Sequence, residues 1–202
     1  LARQLFEQNA DFNNAFGRFD AHSMSLIRAD GAMDLYHGGL RARDRSGSIL
    51  FEKNAGAVVP IASISKLMTA MVSLDATPNL EEPLSIGDED VDTLKGTHSR
   101  LKVGTRLSRE EMLRLALMSS ENRAASPLSR FYPGGRPAFV AAMNRKAQAL
   151  GLSDTHFEDP TGLTSANVSS ARDLVKMVAA AHQYPLIREF TTTAEYEVML
   201  GN

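Results

Sequence analysis

The segment from Pro60 to Leu74 places the strongest constraint on how this chain can fold. It reads Pro-Ile-Ala-Ser-Ile-Ser-Lys-Leu-Met-Thr-Ala-Met-Val-Ser-Leu, with apolar side chains at helical spacing after a proline that suits a helix start. The pattern predicts a deeply buried helix. Ser63 and Lys66 are three residues apart, so they would lie on one face of that helix and within reach of each other.

Such a pair combines a hydroxyl nucleophile with its own base. Burial disfavours the charged form of a lysine, so that its neutral amine can take a proton from a serine. A chain of this length holds about one Ser-x-x-Lys by chance, and Ser99 with Lys102 forms a second copy in a polar stretch without an apolar stripe. We interpret Ser63 as the candidate nucleophile and Ser99 as a chance match.

Length and composition favour one globular domain, because 202 residues with 43% hydrophobic content are enough for one sizeable core. The formal net charge is -2 and both signs are interspersed, so we expect no nucleic-acid partner and no polybasic membrane patch. No apolar run approaches the roughly 18 residues that span a bilayer, and no signal-peptide pattern opens the chain. We therefore expect no transmembrane segment and a mature form.

Metal and cofactor chemistry finds no support in the sequence. The chain has no cysteine, which excludes disulfides, thiol catalysis and cysteine-bound zinc. Its five histidines lack the spacing of metal ligands (His22, His37, His98, His156 and His182). Gly-x-Ser-x-Gly, Gly-x-Gly-x-x-Gly and phosphate-binding loops are absent as well. We expect neither a metal nor a cofactor.

The chain before the Ser63 segment is predicted only in outline. The spacing of Leu5, Phe12 and Phe16 allows a helix, and residues 1–24 form an extension whose role is open. The turn at Gly47 lies between two short segments and predicts an antiparallel hairpin. After the Ser63 helix, an acidic run is expected on a solvated face (Asp88, Glu89, Asp90 and Asp92).

Ser120 and Asn122 directly follow a second apolar helix, which ends at Met118. A hydroxyl and an amide two residues apart suit a loop that aims both groups into a cleft. A simple helix cap is the alternative, since Ser and Asn favour such positions. Ser165-Ala-Asn repeats the spacing within a loop. Position after a buried helix favours Ser120 over this second copy.

The second half of the chain is predicted as a series of helices. Capping pairs, prolines and a glycine set their boundaries (Ser108 with Glu111, Ser170 with Asp173, Pro137, Gly151 and Tyr184-Pro185). Pro127 is expected to kink a helix or to start one. The final segment, Glu195 to Leu200, is predicted as a strand.

Four groups of residues together resemble the low-molecular-mass penicillin-binding proteins, serine peptidases of the Ser-x-x-Lys superfamily. They are Ser63-x-x-Lys66, Ser120-x-Asn122, Tyr132-Pro-Gly-Gly, and Phe157-Glu-Asp-Pro-Thr-Gly-Leu with Ser169-Ser-Ala-Arg-Asp. The resemblance covers residues 45–193. Around Ser63 and Ser120 the chain is most similar to the D-alanyl-D-alanine endopeptidases of this family.

The resemblance implies both a fold and an activity. The fold would be α+β, with an antiparallel sheet flanked by a helical cluster as in β-lactamases and transpeptidases, in one catalytic domain over residues 1–202. The activity would be that of a serine D,D-peptidase in the bacterial periplasm, which cleaves peptidoglycan peptides through an acyl-serine and is acylated by penicillin. Local similarity favours cleavage of cross-links, and carboxypeptidase activity stays open.

The family also implies roles for four residues. Ser63 would attack the carbonyl that follows D-Ala, and Lys66 would take its proton. Ser120 would relay a proton to the leaving amine, and Asn122 would bind substrate and orient Lys66. The backbone N–H of Ser63, at a helix N-terminus, suits an oxyanion donor.

The chain departs from the family at its third motif. Neither Lys-Thr-Gly nor Lys-Ser-Gly is present, although that strand would line the other side of the cleft and complete the oxyanion hole. We therefore expect an incomplete sheet and hypothesise a truncated or nicked chain. Loss of one oxyanion donor costs about 10² to 10³ in rate, so this chain alone should be nearly inactive. Residues 26–44 also match poorly, with Arg41 and Arg43 where the family has an apolar strand.

Two other functions remain open from the sequence. A class A β-lactamase needs a carboxylate that activates the deacylating water, but its Glu-x-x-Leu-Asn signature is missing and only Glu158 lies at a tempting distance. A non-catalytic scaffold that binds penicillin or the cell wall is the second alternative. Labelling by fluorescent penicillin, and the rate at which the label is released, would separate the three functions.

Overall fold

Helices and short antiparallel strands alternate in the computed structural model, which describes residues 2–7, 40–43 and 49–200. The strands are β1 (Ala2–Glu7), β2 (Leu40–Arg43), β3 (Ile49–Lys53), β4 (Val59–Pro60), β5 (Pro83–Ser85), β6 (Arg106–Ser108), β7 (Val168–Ser169) and β8 (Glu195–Leu200). The helices are α1 (Ser65–Asp75), α2 (Arg109–Met118), α3 (Asn122–Arg130), α4 (Gly135–Ala149), α5 (Ala171–Ala181) and α6 (Pro185–Thr192). The predicted α+β class is confirmed.

The strands of the described ranges form four separate antiparallel pairs: β1 with β8, β2 with β3, β4 with β7, and β5 with β6. The antiparallel sheet is thus incomplete within these residues, as predicted. The β2–β3 pair confirms the predicted hairpin, although its Gly47 turn lies outside the described residues. In the β1–β8 pair, Ala2 lies opposite Leu200 and Glu7 opposite Glu195.

The helix that Leu5 suggested is wrong, because residues 2–7 form strand β1. A short apolar spacing carries little helical preference, and pairing along all six residues of β8 decides the conformation. Phe12 and Phe16 lie outside the described residues.

Helix α1 lies at the centre of the hydrophobic core. It contacts α2, α3, α4 and α5, and its apolar side chains are almost fully buried (Leu67, Met68, Ala70, Met71 and Val72). A short 3-10 turn over Ala62–Ile64 leads into it. The predicted buried helix after Pro60 is confirmed. No helix of the described part of the chain is long and apolar enough to cross a bilayer.

Capping interactions set the helix ends as predicted. The Ser108 Oγ accepts from the Glu111 N–H at 3.1 Å, and the Glu111 carboxylate accepts from the Ser108 N–H at 2.8 Å. These two bonds satisfy donors at the start of α2 that have no partner within the helix. Gly151, with φ +67°, follows the last residues of α4 in a left-handed conformation that favours glycine.

The structure corrects one predicted helix start and adds one helix. Of the two alternatives predicted for Pro127, a helix start is wrong, because α3 begins at Asn122, where the Glu121 carboxylate accepts from the Arg123 N–H, and Pro127 lies inside it. Pro185 ends the preceding turn but also occupies the first position of α6, a helix that the sequence did not predict.

Asp90 was expected on a solvated face, and this is wrong. Its carboxylate is fully buried and accepts hydrogen bonds from the Ser126 Oγ at 2.6 Å and the Arg130 Nη2 at 2.7 Å. Both partners lie on α3, 36 and 40 residues further along the chain. A buried carboxylate requires such partners, but their distance in sequence left no local signal.

Candidate active site

Ser63 and Lys66 are held together at the start of α1. Ser63 lies in the 3-10 turn and Lys66 in the first turn of the helix, where its Nζ donates to the Ser63 Oγ at 3.0 Å. Ser63 is partly exposed, whereas the Lys66 side chain is fully buried. The predicted contact between the two residues is therefore present, with the hydroxyl accessible and the amine enclosed.

The Lys66 amine has three hydrogen-bond partners. Besides Ser63, its Nζ donates to the Asn122 Oδ1 at 2.8 Å and to the Thr161 backbone oxygen at 2.7 Å. Burial lowers the pKa of Lys66 from 10.5 to about 7, while the charges of Asp159 and Glu121 oppose the shift. A substantial fraction of this amine is therefore neutral near neutral pH.

Ser120 and Asn122 stand at the start of α3. Asn122 is the first residue of the helix, which brings its amide to Lys66. Ser120 has φ +56°, a left-handed conformation that is unusual for a residue other than glycine and typical of functional loops. Its side chain is partly exposed, and no hydrogen bond joins it to a described residue. Hydrogen bonds of the Lys66 amine therefore join three of the four predicted residues, Ser63, Lys66 and Asn122. The fourth, Ser120, lies two positions before Asn122 in the chain.

The loop from Asp159 to Asn167 forms the floor of the site, and the sequence did not predict this role. The Thr161 carbonyl accepts from Lys66, and the neighbouring Pro160 carbonyl accepts from the Thr69 Oγ1 at 2.6 Å. Both acceptors belong to the backbone, so residue type gives no sign of them. In the sequence this segment contributed only to the family resemblance, through Phe157-Glu-Asp-Pro-Thr-Gly-Leu.

Gly162 packs directly against the peptide group between Ala62 and Ser63, which carries the Ser63 N–H. A Cβ at this position would come within 1.9 Å of the Ala62 backbone oxygen and 3.0 Å of the Ser63 nitrogen, and φ at Gly162 is +83°. Ala62 itself has φ +44°. Only glycine allows the loop to approach the serine so closely.

Asn167 ties this loop to the start of α1. It is fully buried, and its Oδ1 accepts from the backbone N–H groups of Glu158 and Asp159 at 2.8 and 3.0 Å. Its Nδ2 donates to the Ser65 Oγ and to the Asp159 backbone oxygen, both at 2.9 Å. Asn167 of the Ser165-Ala-Asn repeat is therefore a buried structural residue, which joins the loop to the start of α1.

We predict that Asn167→Leu lowers the free energy of unfolding by about 3 kcal/mol or more, because several buried polar groups would lose their partner at once. Ser165→Ala is the matched control: Ser165 is exposed in the same loop, and its loss should cost less than about 0.5 kcal/mol. Urea denaturation of both variants measures the difference. Equal stability of the two variants would contradict the supporting role of Asn167.

Ser99 and Lys102 do not form a comparable pair. The Ser99 Oγ accepts from the Leu101 N–H at 3.0 Å, and Lys102 is exposed. Within the described ranges, no group of three or more His, Asp or Glu side chains could hold a metal ion.

Sequence comparisons place the chain among bacterial D-alanyl peptidases. A family described as D-alanyl-D-alanine carboxypeptidase matches residues 42–201. A D-alanyl-D-alanine endopeptidase of Pseudomonas aeruginosa is 52% identical over 153 residues, which is 76% of this chain and 49% of the relative. A D-alanyl-D-alanine endopeptidase of Escherichia coli is 51% identical over 157 residues, 78% of this chain and 51% of the relative. The chain spans about half the length of these relatives.

Solved structures agree with the sequence comparisons. The DD-transpeptidase of Streptomyces K15 superposes with a TM-score of 0.69 and 29% identity, over 76% of this chain and 63% of that protein. The arrangement of helices and antiparallel strands is thus that of the DD-transpeptidase fold.

Proposed function

Since the chain belongs to the family of D-alanyl-D-alanine carboxypeptidases, we propose that it carries the acylating site of a serine D,D-peptidase. Residues 1–202 belong to one catalytic domain in this proposal. The observation that carries it is the buried Lys66 amine, 3.0 Å from an accessible serine hydroxyl. A lysine with a pKa of about 7 is a base matched to neutral pH.

Ser63 is the nucleophile and Lys66 the general base in this mechanism. The neutral amine accepts the Ser63 proton while Oγ forms a bond to the substrate carbonyl carbon. The resulting ammonium is stabilised by the Asn122 Oδ1 and the Thr161 carbonyl, which already lie within hydrogen-bond distance. The negative charge moves to the carbonyl oxygen of the tetrahedral intermediate.

The Ser63 N–H is the proposed donor to that oxyanion. It lies at the beginning of the turn that leads into α1, where the helix dipole favours negative charge. No described backbone acceptor takes it up. Gly162 supports the same peptide from the opposite chain segment, which keeps the N–H in a fixed direction.

Ser120 and Asn122 complete the proposed site. Ser120, held in its left-handed conformation, presents a hydroxyl without a described partner. It relays a proton to the leaving amine as the tetrahedral intermediate collapses to the acyl-serine. Asn122 orients Lys66 and binds the substrate, and water then hydrolyses the ester.

The proposed substrates are D-Ala-containing peptides of bacterial peptidoglycan in the periplasm, with β-lactams as covalent inhibitors. Cleavage of cross-links is favoured over carboxypeptidase action because the relatives with 52% and 51% identity are both named endopeptidases. Digestion of purified cross-linked muropeptides by the protein that contains this chain should convert dimers to monomers. Release of terminal D-Ala alone would favour the carboxypeptidase.

Fluorescent penicillin tests the proposed nucleophile. We expect one covalent adduct per chain, mapped to Ser63 by mass spectrometry of proteolytic peptides, and we expect none after denaturation. Ser99→Ala, at the second Ser-x-x-Lys copy, should label like the natural chain. An adduct on another serine would refute the assignment, and no adduct on a verified full-length chain would favour a non-catalytic scaffold.

The β-lactamase alternative requires a free carboxylate near the acyl-serine. Glu158 points to the exposed His156, with 3.8 Å between Oε1 and Nε2. Both oxygens of the neighbouring Asp159 are occupied, for example by the Thr161 Oγ1 at 2.6 Å and the Gly162 N–H at 2.7 Å. The label should therefore be released slowly, and rapid turnover of penicillin would contradict this.

A further inference from the structure

A short loop beside the site is organised by the carboxylate of Asp92. Its Oδ1 accepts from the backbone N–H groups of Leu94 and Lys95 at 2.8 and 3.0 Å. Its Oδ2 accepts from the N–H and the Oγ1 of Thr97 at 2.8 and 2.6 Å. The loop thereby brings Thr97 to Asn122, whose Nδ2 donates to the Thr97 Oγ1 at 3.2 Å.

The direction of these hydrogen bonds is determined by Asp92. An ionised carboxylate can only accept, so the single hydrogen of the Thr97 hydroxyl is committed to it. Although desolvation opposes it, hydrogen bonds from Thr97, Lys95 and Leu94 hold the pKa of Asp92 well below its usual range. The Thr97 oxygen can then only accept from Asn122. The Asn122 amide must present its nitrogen to Thr97 and its oxygen to Lys66.

The orientation of this amide matters most when Lys66 is neutral. Charged Lys66 has three hydrogens and no lone pair, so it selects the Asn122 oxygen by itself. Neutral Lys66 has two hydrogens and one lone pair. If it donates to Asn122 and Thr161, its lone pair faces Ser63; if Asn122 turns over, the lone pair accepts from the amide and Ser63 loses its base.

We propose that Thr97, oriented by Asp92, is a positioning residue that holds the Asn122 oxygen toward Lys66 and so keeps the lone pair of the neutral amine for Ser63. This inference rests on the proposed function for its effect on acylation. The hydrogen-bond arrangement itself stands apart from catalysis and is tested separately.

Titration of Lys66 by NMR, in the chain with isotope-labelled lysine, tests the arrangement without any substrate. The Lys66 signal is identified by its loss in Lys66→Met. In Thr97→Val the Asn122 amide can turn over, which gives neutral Lys66 a second hydrogen-bond arrangement. The pKa of Lys66, measured as the titration midpoint, should therefore fall by several tenths of a unit up to about one unit. Other charges around the amine (Asp159, Glu121 and Lys95) stay unchanged.

Thr97→Ser is the matched control, because it keeps the hydroxyl and removes only the methyl group. Its midpoint should equal that of the natural chain. Asp92→Asn is a second variant: its amide can donate to the Thr97 oxygen, reverse the hydroxyl and turn Asn122 over, so its midpoint should fall as well. An unchanged midpoint in Thr97→Val, or an equal fall in Thr97→Ser, overturns the proposal.

The pH dependence of penicillin acylation gives the catalytic readout. At pH values well below the titration midpoint of Lys66, Thr97→Val should react like the natural protein. The fraction of Lys66 that is neutral with its lone pair toward Ser63 is then the same in both proteins, because nearly all of the amine is charged. Above the midpoint it should react about three- to tenfold more slowly. A uniform loss at all pH values would overturn the positioning role. A shifted NMR midpoint in a protein that penicillin never acylates would uphold the arrangement and refute the proposed function.

Discussion

Replacement of Lys66 by methionine is expected to slow acylation by penicillin about 10³-fold, while the chain still folds. Methionine replaces most of the buried lysine stem, but its thioether sulfur is not a base at neutral pH, so it cannot take the Ser63 proton. Lys102→Met is the matched control at the exposed second copy and should acylate normally. Acylation at the natural rate in Lys66→Met would show that another group is the base.

The same substitution also changes how stability depends on pH. The pKa of Lys66 is about 7 in the folded chain and about 10.5 in the unfolded chain. Between these values the unfolded chain holds the proton and the folded chain does not, so the free energy of unfolding rises with pH. From about pH 7 to about pH 9, the natural chain should gain about 2 kcal/mol relative to Lys66→Met. Urea denaturation of both proteins at each pH measures this difference, and parallel curves would contradict the buried neutral amine.

Gly162→Ala has the second largest expected effect. The new methyl group would lie 1.9 Å from the Ala62 backbone oxygen, and the residue would be forced to φ +83°. The peptide that carries the Ser63 N–H must then move, and a displacement of about 1 Å can cost about 10² in rate. We expect about 10²-fold slower acylation and a loss of about 3 kcal/mol or more in the free energy of unfolding.

Gly151→Ala is the control that tests whether backbone strain alone explains the effect of Gly162→Ala. Gly151 also has a positive φ, +67°, but no atom lies within 4 Å of the position that its Cβ would take. This variant should lose about 1 kcal/mol in stability and keep its acylation rate. If both variants acylated equally slowly, the close approach of Gly162 to Ser63 would not be the cause.

Local patterns predicted the centre of the site because helix geometry relates neighbouring residues. Apolar spacing after Pro60 required a buried helix, and a separation of three residues put Ser63 and Lys66 on one face. Asn122 was also predicted, since its place after a buried helix pointed to a cleft. The capping pair Ser108 and Glu111 acts over one helical turn and was visible for the same reason.

Contacts between distant segments could not be predicted in this way. Lys66 donates to a backbone carbonyl of Thr161, an acceptor that every residue type has. Asn167 was noticed only as a repeat of a spacing, although its buried amide joins two segments. The burial of Asp90 could not be predicted for the same reason. A carboxylate in an acidic run is expected on the surface, and its partner Arg130 lies 40 residues away in the sequence.

The floor of the site joins positions that are far apart along the chain, and this has a consequence for folding kinetics. The contacts of Lys66, Thr69 and Ser65 with the loop span 95, 91 and 102 residues. Closure of such long segments is slow relative to helix formation, so α1 can form before the loop docks. Until docking, Lys66 is hydrated and keeps its proton. Arrival of the loop at mildly alkaline pH should therefore release that proton to solvent, so an indicator dye in a stopped-flow experiment would time the step that buries the Lys66 amine beside Ser63.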